Sequence, residues 1–477
     1  MSFTEAKVAS CRITVGVIGA GPVGLLTALM LSKRGYIVTI FDYRDLFDDD
    51  GCGSSSLRSI NLALSNRGIS SIRSVDAKLC DKILQEVVPM KGRMIHDVSG
   101  SEDAQLYGIH GECINSIGRA LLNHILMENV KKDNQIMGTF SNITIKEKHK
   151  LLSIKFSDHE YGKQLCSFQT SSPSKSIENF EFDFVMGCDG SYSQTRSQIA
   201  ETIAVKQTVQ DVDRKYVELR FEPNKDGSYI FSENYLHIWP RDNFMLIALP
   251  NNDGSFTATF FASVEIFHKL MAMDKDEFQN FITSNFEDVT NIVHIDVFME
   301  CLYQNSGNDL NCRTCYPYHV DGGKALLLGD AAHSMVPFYG QGLNCGFEDV
   351  KFLQSMLDQH NDDRNLAFRD FSRLRVQDHL AIIDMSKRNY FEMSHDVVSN
   401  MFIVKKCLDN FLHRILKDYW IPQYTMVTFR DDISYSKVEQ LSNFHKKITN
   451  IMLFATGFGS SVAIIRLVHR LFEKSSK

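Results

Sequence analysis

The chain has 477 residues, room for roughly two to four domains at the usual 100 to 200 residues each, so a peptide-sized scaffold is excluded. Hydrophobic residues make up 44% and charged residues 23%, close to a globular average, which permits a large core and excludes wholesale disorder. The 51 Lys plus Arg set against 58 Asp plus Glu leave a net −7, no basic footprint for a phosphate backbone, so nucleic acid is not expected as a partner.

Residues 13–18 form an apolar, β-branched run, followed by Gly19-Ala20-Gly21-Pro22-Val23-Gly24, a helical stretch over 25–33 and a strand over 38–41 that ends in Asp42. This is a βαβ unit at the N-terminal side. The first glycine permits the tight turn, the second lets backbone N–H groups approach a pyrophosphate, and the third lets helix pack on strand. Asp42 lies 18 residues past Gly24, the position of an acid that accepts from ribose hydroxyls and repels a 2′-phosphate. The site therefore suits FAD or NAD rather than NADP, and the glycines alone leave that choice open. Residues 48–56 and 170–176 read as solvated loops.

Further along, residues 182–187 form a mostly apolar strand ending in Cys188-Asp189-Gly190-Ser191, with Arg196 following. Short runs rich in Val, Ile, Tyr and Phe between 216 and 261, at 235–239, 244–249 and 256–261, read as antiparallel strands. Cys312-Arg-Thr-Cys315 lies among loop residues and lacks a second pair, so neither a redox nor a metal role is assigned to it. Residues 325–328 are another strand, ending in Gly329-Asp330-Ala331-Ala332-His333, which again puts an Asp where open α/β sheets bind ligands. Pro337 to Asn344 make a glycine-bearing turn into a helix, whose exposed N–H groups at Gly342, Leu343 and Asn344 suit the carbonyl-side charge of a flavin ring. From Gly342 the period is helical, through Leu353, Met356 and Leu357 and again over 382–416.

The Gly fingerprint, the Asp-Gly segment and the Gly-Asp segment, in this order, resemble the FAD-dependent aromatic hydroxylases. The segments 58–65 (RSINLALS), 93–96 (RMIH), 234–241 (NYLHIWPR) and 421–429 (IPQYTMVTF) are similar to the kynurenine-hydroxylating branch of that family, over about 15–429. The resemblance implies an α/β fold: a Rossmann-like FAD-binding domain, an interleaved antiparallel-sheet substrate domain, C-terminal helices and a C-terminal membrane anchor. The FAD-binding domain takes 1–75, 112–205 and 300–360, the substrate sheet 76–111 and 206–299, the helical region 361–445, and the anchor 448–468. It implies that FAD is held by Gly19, Gly21, Val23, Gly24, Asp42, Arg44, Ala63, Arg119, Asp189, Asp330, Gly342, Leu343 and Asn344. Within that set Asp330 meets the ribityl chain, and Arg119, opening a helix over 119–130, lies near the phosphates.

The implied reaction is NADPH- and O2-dependent hydroxylation of L-kynurenine to 3-hydroxy-L-kynurenine through a flavin C4a-hydroperoxide, a step of tryptophan degradation and pyridine nucleotide synthesis. NADPH is a transient co-substrate, since no second G-x-G-x-x-G is present. Arg93, Tyr107, Asn389 and Tyr424 bind the amino-acid end of the substrate: Arg presents a planar fork to a carboxylate, and phenol and amide groups orient it. No side-chain base is assigned, because the aniline nitrogen activates the ring, and His96, His237 and His333 read as structural hydrogen-bonders. The competing readings are a flavin hydroxylase for another aromatic acid and a flavin-binding membrane scaffold without turnover.

Eleven cysteines and no secretory leader lead to the expectation of reduced thiols and a cytosol-facing chain. Residues 448–468, at about 1.5 Å per residue, match a hydrocarbon core of about 30 Å. Lys446 and Lys447 precede them, and Arg466, Arg470, Lys474 and Lys477 lie at or beyond their end. Composition leaves open whether this segment spans, lies on the interface or is buried. The resemblance implies an anchor in the mitochondrial outer membrane, with the catalytic part facing the cytosol.

Overall fold

The computed structural model describes residues 12–46, 61–136, 142–160, 162–171, 175–290, 292, 295–305, 308–395, 397 and 399–456. The expected loop at 48–56, residues 58–60 of the RSINLALS segment, part of the 170–176 tract, and 457–468 of the expected anchor lie outside these residues.

The N-terminal apolar run forms strand Thr14–Ile18, passes through the glycine turn into helix α1 (Pro22–Lys33) and returns as strand Ile37–Phe41. Pro22 at the first helical position costs nothing there, since its missing N–H has no intrahelical partner. Among the described residues this unit lies in a six-stranded sheet, in the order His319–Val320, Ala325–Leu327, Phe184–Gly187, Thr14–Ile18, Ile37–Phe41, Ile143–Lys146. All pairings are parallel except that of the edge strand His319–Val320. The central strands are buried on both faces and so read as continuous apolar runs rather than alternations. In register, Ile18 faces Gly187 and Gly187 faces Leu327. The chain therefore leaves all three strands at one edge, where Gly19, Cys188 and Gly329 meet.

A second sheet of eight strands carries the expected antiparallel runs, extended to Tyr235–Arg241, Phe244–Pro250 and Phe256–Ala262. The short strand Gly92–His96 joins it in parallel with Tyr235–Arg241, which sets Arg93 beside Leu236. No alternation in that five-residue run announces it. Cys312 and Cys315 fall on strand Asn308–Tyr316 rather than in a loop; three residues apart, they face different cores, Cys315 that of the six-stranded sheet and Cys312 the cluster around Phe261 and Phe338.

The remaining helices that matter here are α2 (Arg119–Ile136), α3 (Gly342–Gln359), α4 (Arg364–Ser394), α5 (Asn400–Leu416), α6 (Gln423–Phe429) and α7 (Tyr435–Thr456). The helical pattern over 382–416 is broken between α4 and α5, where the Asp242 N–H takes the Ser394 carbonyl and His395 leaves helical geometry. Residues 448–456 close α7, with Ile448 and Thr449 buried. No described helix is long and apolar enough to cross a membrane.

Candidate active site

At the sheet edge the glycines are fixed by close packing. Gly19 has φ +103, and a Cβ there would stand 2.4 Å from the Cys188 carbonyl oxygen; a Cβ on Gly24 would stand 2.0 Å from that of Gly19. Around Gly21, by contrast, a Cβ would meet nothing within 4 Å, and the residue borders a cavity of about 310 Å³. That is the open cradle a pyrophosphate needs at a helix N-terminus. Gly24→Ala is expected to lower FAD occupancy about tenfold or more, a loss of about 1.4 kcal/mol in binding. Flavin absorbance per mole of purified chain measures it; full occupancy would show that this contact yields.

Asp42 is buried and accepts from the Ala20 N–H (2.8 Å), from the Arg44 N–H (2.9 Å) and from Arg44 Nε and Nη2 (2.9 and 2.8 Å). Burial pushes its carboxyl up, but the Arg44 guanidinium prevails and holds it below the ordinary carboxylate value. Neither residue lines the cavity. Asp189 is also turned aside: it accepts from Ser193 Oγ (2.6 Å), the Thr195 N–H (2.9 Å) and Thr195 Oγ1 (3.0 Å), bracing its own turn, while neighbouring Cys188 and Gly190 face the cavity. Arg196 joins the two aspartate segments, donating to the carbonyls of Ser191 (2.7 Å) and Ala331 (2.8 Å). Asn344 clamps backbone, donating to Ala63 and Gly340 (both 2.7 Å) and accepting from the Ser65 N–H (2.9 Å). Val23, Ala63, Arg119, Asp330, Gly342 and Leu343 do border the cavity. Burial raises the Asp330 carboxyl, opposed by the charge of Arg119. A glycine cradle, a cation and an acid along one wall suit the phosphates and polyol of FAD.

The same cavity is also lined by Arg93, Tyr107 and Tyr424. Arg93 is 6% exposed. Its Nη1 donates to Glu392 Oε1 at 3.0 Å, its guanidinium lies 4.8 Å over the Tyr424 ring, and its Nε is buried without a partner. Burial works against the charge, yet Tyr424 and Glu392 hold the Arg93 pKa above its ordinary value. Tyr424 stacks on Tyr107 (5.2 Å) and on Tyr339 (5.5 Å); burial raises all three phenols, which stay protonated donors. Asn389 is not on the cavity wall. Buried on α4, it donates to the Phe338 carbonyl (2.7 Å) and so shapes the turn that presents Phe338 and Tyr339.

Glu392 and Tyr339 escaped the sequence reading. The signal for Glu392 was its place three residues from Asn389, on the same helical face. His96, His237 and His333 stay off the cavity. His96 Nε2 and His237 Nδ1 are 2.8 Å apart, and His96 Nδ1 is 3.1 Å from Asp288. His333 belongs to a buried hub around Asp349, which accepts from the Gly329 N–H (3.1 Å), His333 Nε2 (2.5 Å), His379 Nε2 (2.9 Å) and Arg375 Nε and Nη2 (3.1 and 3.0 Å). His333, Cys345, Asp349 and His379 are near enough to one another to hold a metal ion. The Arg375 guanidinium already pairs with Asp349 Oδ1, however, and burial pushes the Cys345 thiol up and keeps it protonated. The hub therefore reads as a hydrogen-bonded brace.

A family described as an FAD binding domain matches residues 108–364. The chain is 45% identical over 447 residues to kynurenine 3-monooxygenase of Saccharomyces cerevisiae, covering 92% of this chain and 94% of that one. It is 42% identical over 458 residues to the enzyme of that name from Candida albicans, covering 95% and 96%. Among solved structures, 2-methyl-3-hydroxypyridine-5-carboxylic acid oxygenase in its tetrameric form superposes with a TM-score of 0.59 at 17% identity, over 82% of this chain and 94% of that one, a likeness of fold.

Proposed function

The chain belongs to the kynurenine 3-monooxygenase family, and from that premise we propose that it hydroxylates L-kynurenine to 3-hydroxy-L-kynurenine with FAD, NADPH and O2. Bound FAD supplies hydride acceptance and O2 activation, work that amino-acid side chains do not do. The observation that carries the reading is one cavity lined both by a glycine cradle at a helix N-terminus and by a buried arginine whose Nε–H has no partner.

Residues Gly21, Val23, Arg119, Asp330, Gly342 and Leu343 hold the cofactor. The substrate carboxylate takes the guanidinium of Arg93, and Glu392, which is paired with that arginine but does not line the cavity, holds it in place. Phenols of Tyr107 and Tyr424 donate to the amino-acid end, while apolar Leu236, Ile247 and Phe338 receive the ring and exclude water. The aniline nitrogen of kynurenine activates its own ring, so these groups need to position and desolvate rather than abstract a proton.

The same reading divides the chain at the boundaries given above: a discontinuous FAD-binding domain, a substrate sheet and a helical region. It places residues 448–468 as an anchor in the mitochondrial outer membrane, with the rest facing the cytosol. Support for the anchor is compositional: an apolar run bordered by Lys446, Lys447, Arg466 and Arg470. The test is to purify the full chain, record its flavin spectrum, and follow NADPH consumption and 3-hydroxykynurenine together. Matched stoichiometry is expected. Stimulation by another aromatic acid but not by kynurenine, or NADPH oxidation yielding peroxide alone, would overturn the assignment.

A further inference from the structure

Helix α5 has two unlike faces. Leu412 is buried with Trp420 and with Ile448 of α7, and Leu408, Leu416, Phe444 and Met452 pack around them. The opposite face is apolar yet uncovered: Ile403, Val404, Cys407, Phe411 and Ile415 are all exposed, Phe411 and Ile415 to 59% each. At 3.6 residues per turn these positions fall within an arc of about 120°. Arg414 is the one charged residue inside that arc. Tyr419, 71% exposed just past the helix, and Ile451 on α7 extend the patch.

We propose that this face of α5 lies on an anionic phospholipid surface, its apolar side chains immersed and its axis in the plane of the interface, an inference that rests on the anchor reading above. Two observations select lipid. First, the helix against which α5 packs, α7, runs directly into the remainder of the apolar 448–468 segment, so a chain anchored there presents α5 to the same surface. Second, although the chain carries −7 overall, exposed Arg414 lies within the arc, exposed Lys417 follows the end of the helix, and exposed Lys447 stands one turn before Ile451. That pattern, apolar arc and basic border, is what an interfacial helix needs. A second copy on a twofold axis would bring the same cations against one another.

Cys407 sits on the arc and reports its environment. The full chain, with or without vesicles of equal parts phosphatidylcholine and phosphatidylserine, is exposed to a charged maleimide, and modified peptides are quantified. Vesicles are expected to slow modification of Cys407 about tenfold, the protection of a side chain sunk into the headgroup boundary, and to leave Cys113 unchanged. The double variant Phe411→Glu/Ile415→Glu should restore Cys407 reactivity while the chain still sediments with vesicles and still turns over kynurenine. If the chain sediments but Cys407 reacts as before, the α5 contact is wrong and the anchor stands. If it does not sediment at all, both readings fall. Protection of Cys407 without vesicles, in a species of twice the mass, would assign the face to a second copy instead.

Discussion

Arg93→Ala is expected to raise the KM for kynurenine at least tenfold, and toward about a hundredfold, while FAD remains bound and kcat falls less. A charge-assisted hydrogen bond contributes about 1.5–3 kcal/mol net, and each 1.4 kcal/mol is a factor of ten. The substitution does not strand a buried charge, because the Glu392 side chain is 34% exposed and stays hydrated once its partner is gone. Loss of affinity should therefore appear without collapse of the fold. Arg93→Lys separates charge from shape: an ammonium can pair with Glu392 but has no second N–H set at the guanidinium's angle, so KM should stay raised. Steady-state kinetics with the flavin content of each variant measured in parallel checks this. Unchanged KM in Arg93→Ala would remove that residue from the substrate site, and loss of flavin would show that its role is structural.

What the sequence made legible follows from how local each signal is. The glycine turn, the two strand-end aspartate segments and the runs of the antiparallel sheet are encoded in contiguous residues, and all of them appear where their patterns put them. Direction is another matter. Asp189 and Asn344 lie in the expected segments, but Asp189 accepts from its own turn and Asn344 ties strand to turn, since short polar side chains bond nearby backbone before they reach across a cavity. The substrate end was readable through resemblance alone. Arg93 and Glu392 meet across 299 positions, a pairing that a five-residue strand joined in parallel creates and no periodicity announces. The break between α4 and α5 escaped for the same reason, because the carbonyl it frees is taken by Asp242, far away in sequence. Asp349 did leave a trace: it stands in the helical stripe of Cys345, Leu353 and Met356, all buried, where an acid must have partners.

Those partners make Asp349→Ala the most destabilising change expected here. The carboxylate is fully buried and is held well below its ordinary pKa: burial works against its charge, but His333, His379 and Arg375 more than offset that. Removing it leaves the buried Arg375 with Glu348 and Asp378 alone and takes the acceptor from His379, so a cost of about 3–5 kcal/mol is expected. It also frees the Gly329 N–H, loosening the turn that carries Asp330 into the cavity, so flavin affinity should fall together with stability. The pH dependence has a definite sign. Burial lowers His379 to about 3, and it lowers His237 and His445 to about 4. Each is neutral in the folded chain but takes a proton near pH 6.5 when unfolded, so the unfolded state binds more protons and stability drops as pH falls from about 6.5 towards those values. Each contributes a slope of up to about 1.4 kcal/mol per pH unit. Asp349, with its depressed pKa, adds stability that persists above the unfolded carboxylate value of about 4 and is lost only below it. Denaturant unfolding of the wild type should therefore weaken from pH 6.5 downward, and His379→Gln should flatten that dependence by one histidine's share. A stability that does not change between pH 7 and pH 5 would mean that these rings are charged in the folded chain, and that in the hub His379 meets Asp349 as an imidazolium beside the Arg375 ion pair rather than as a neutral donor.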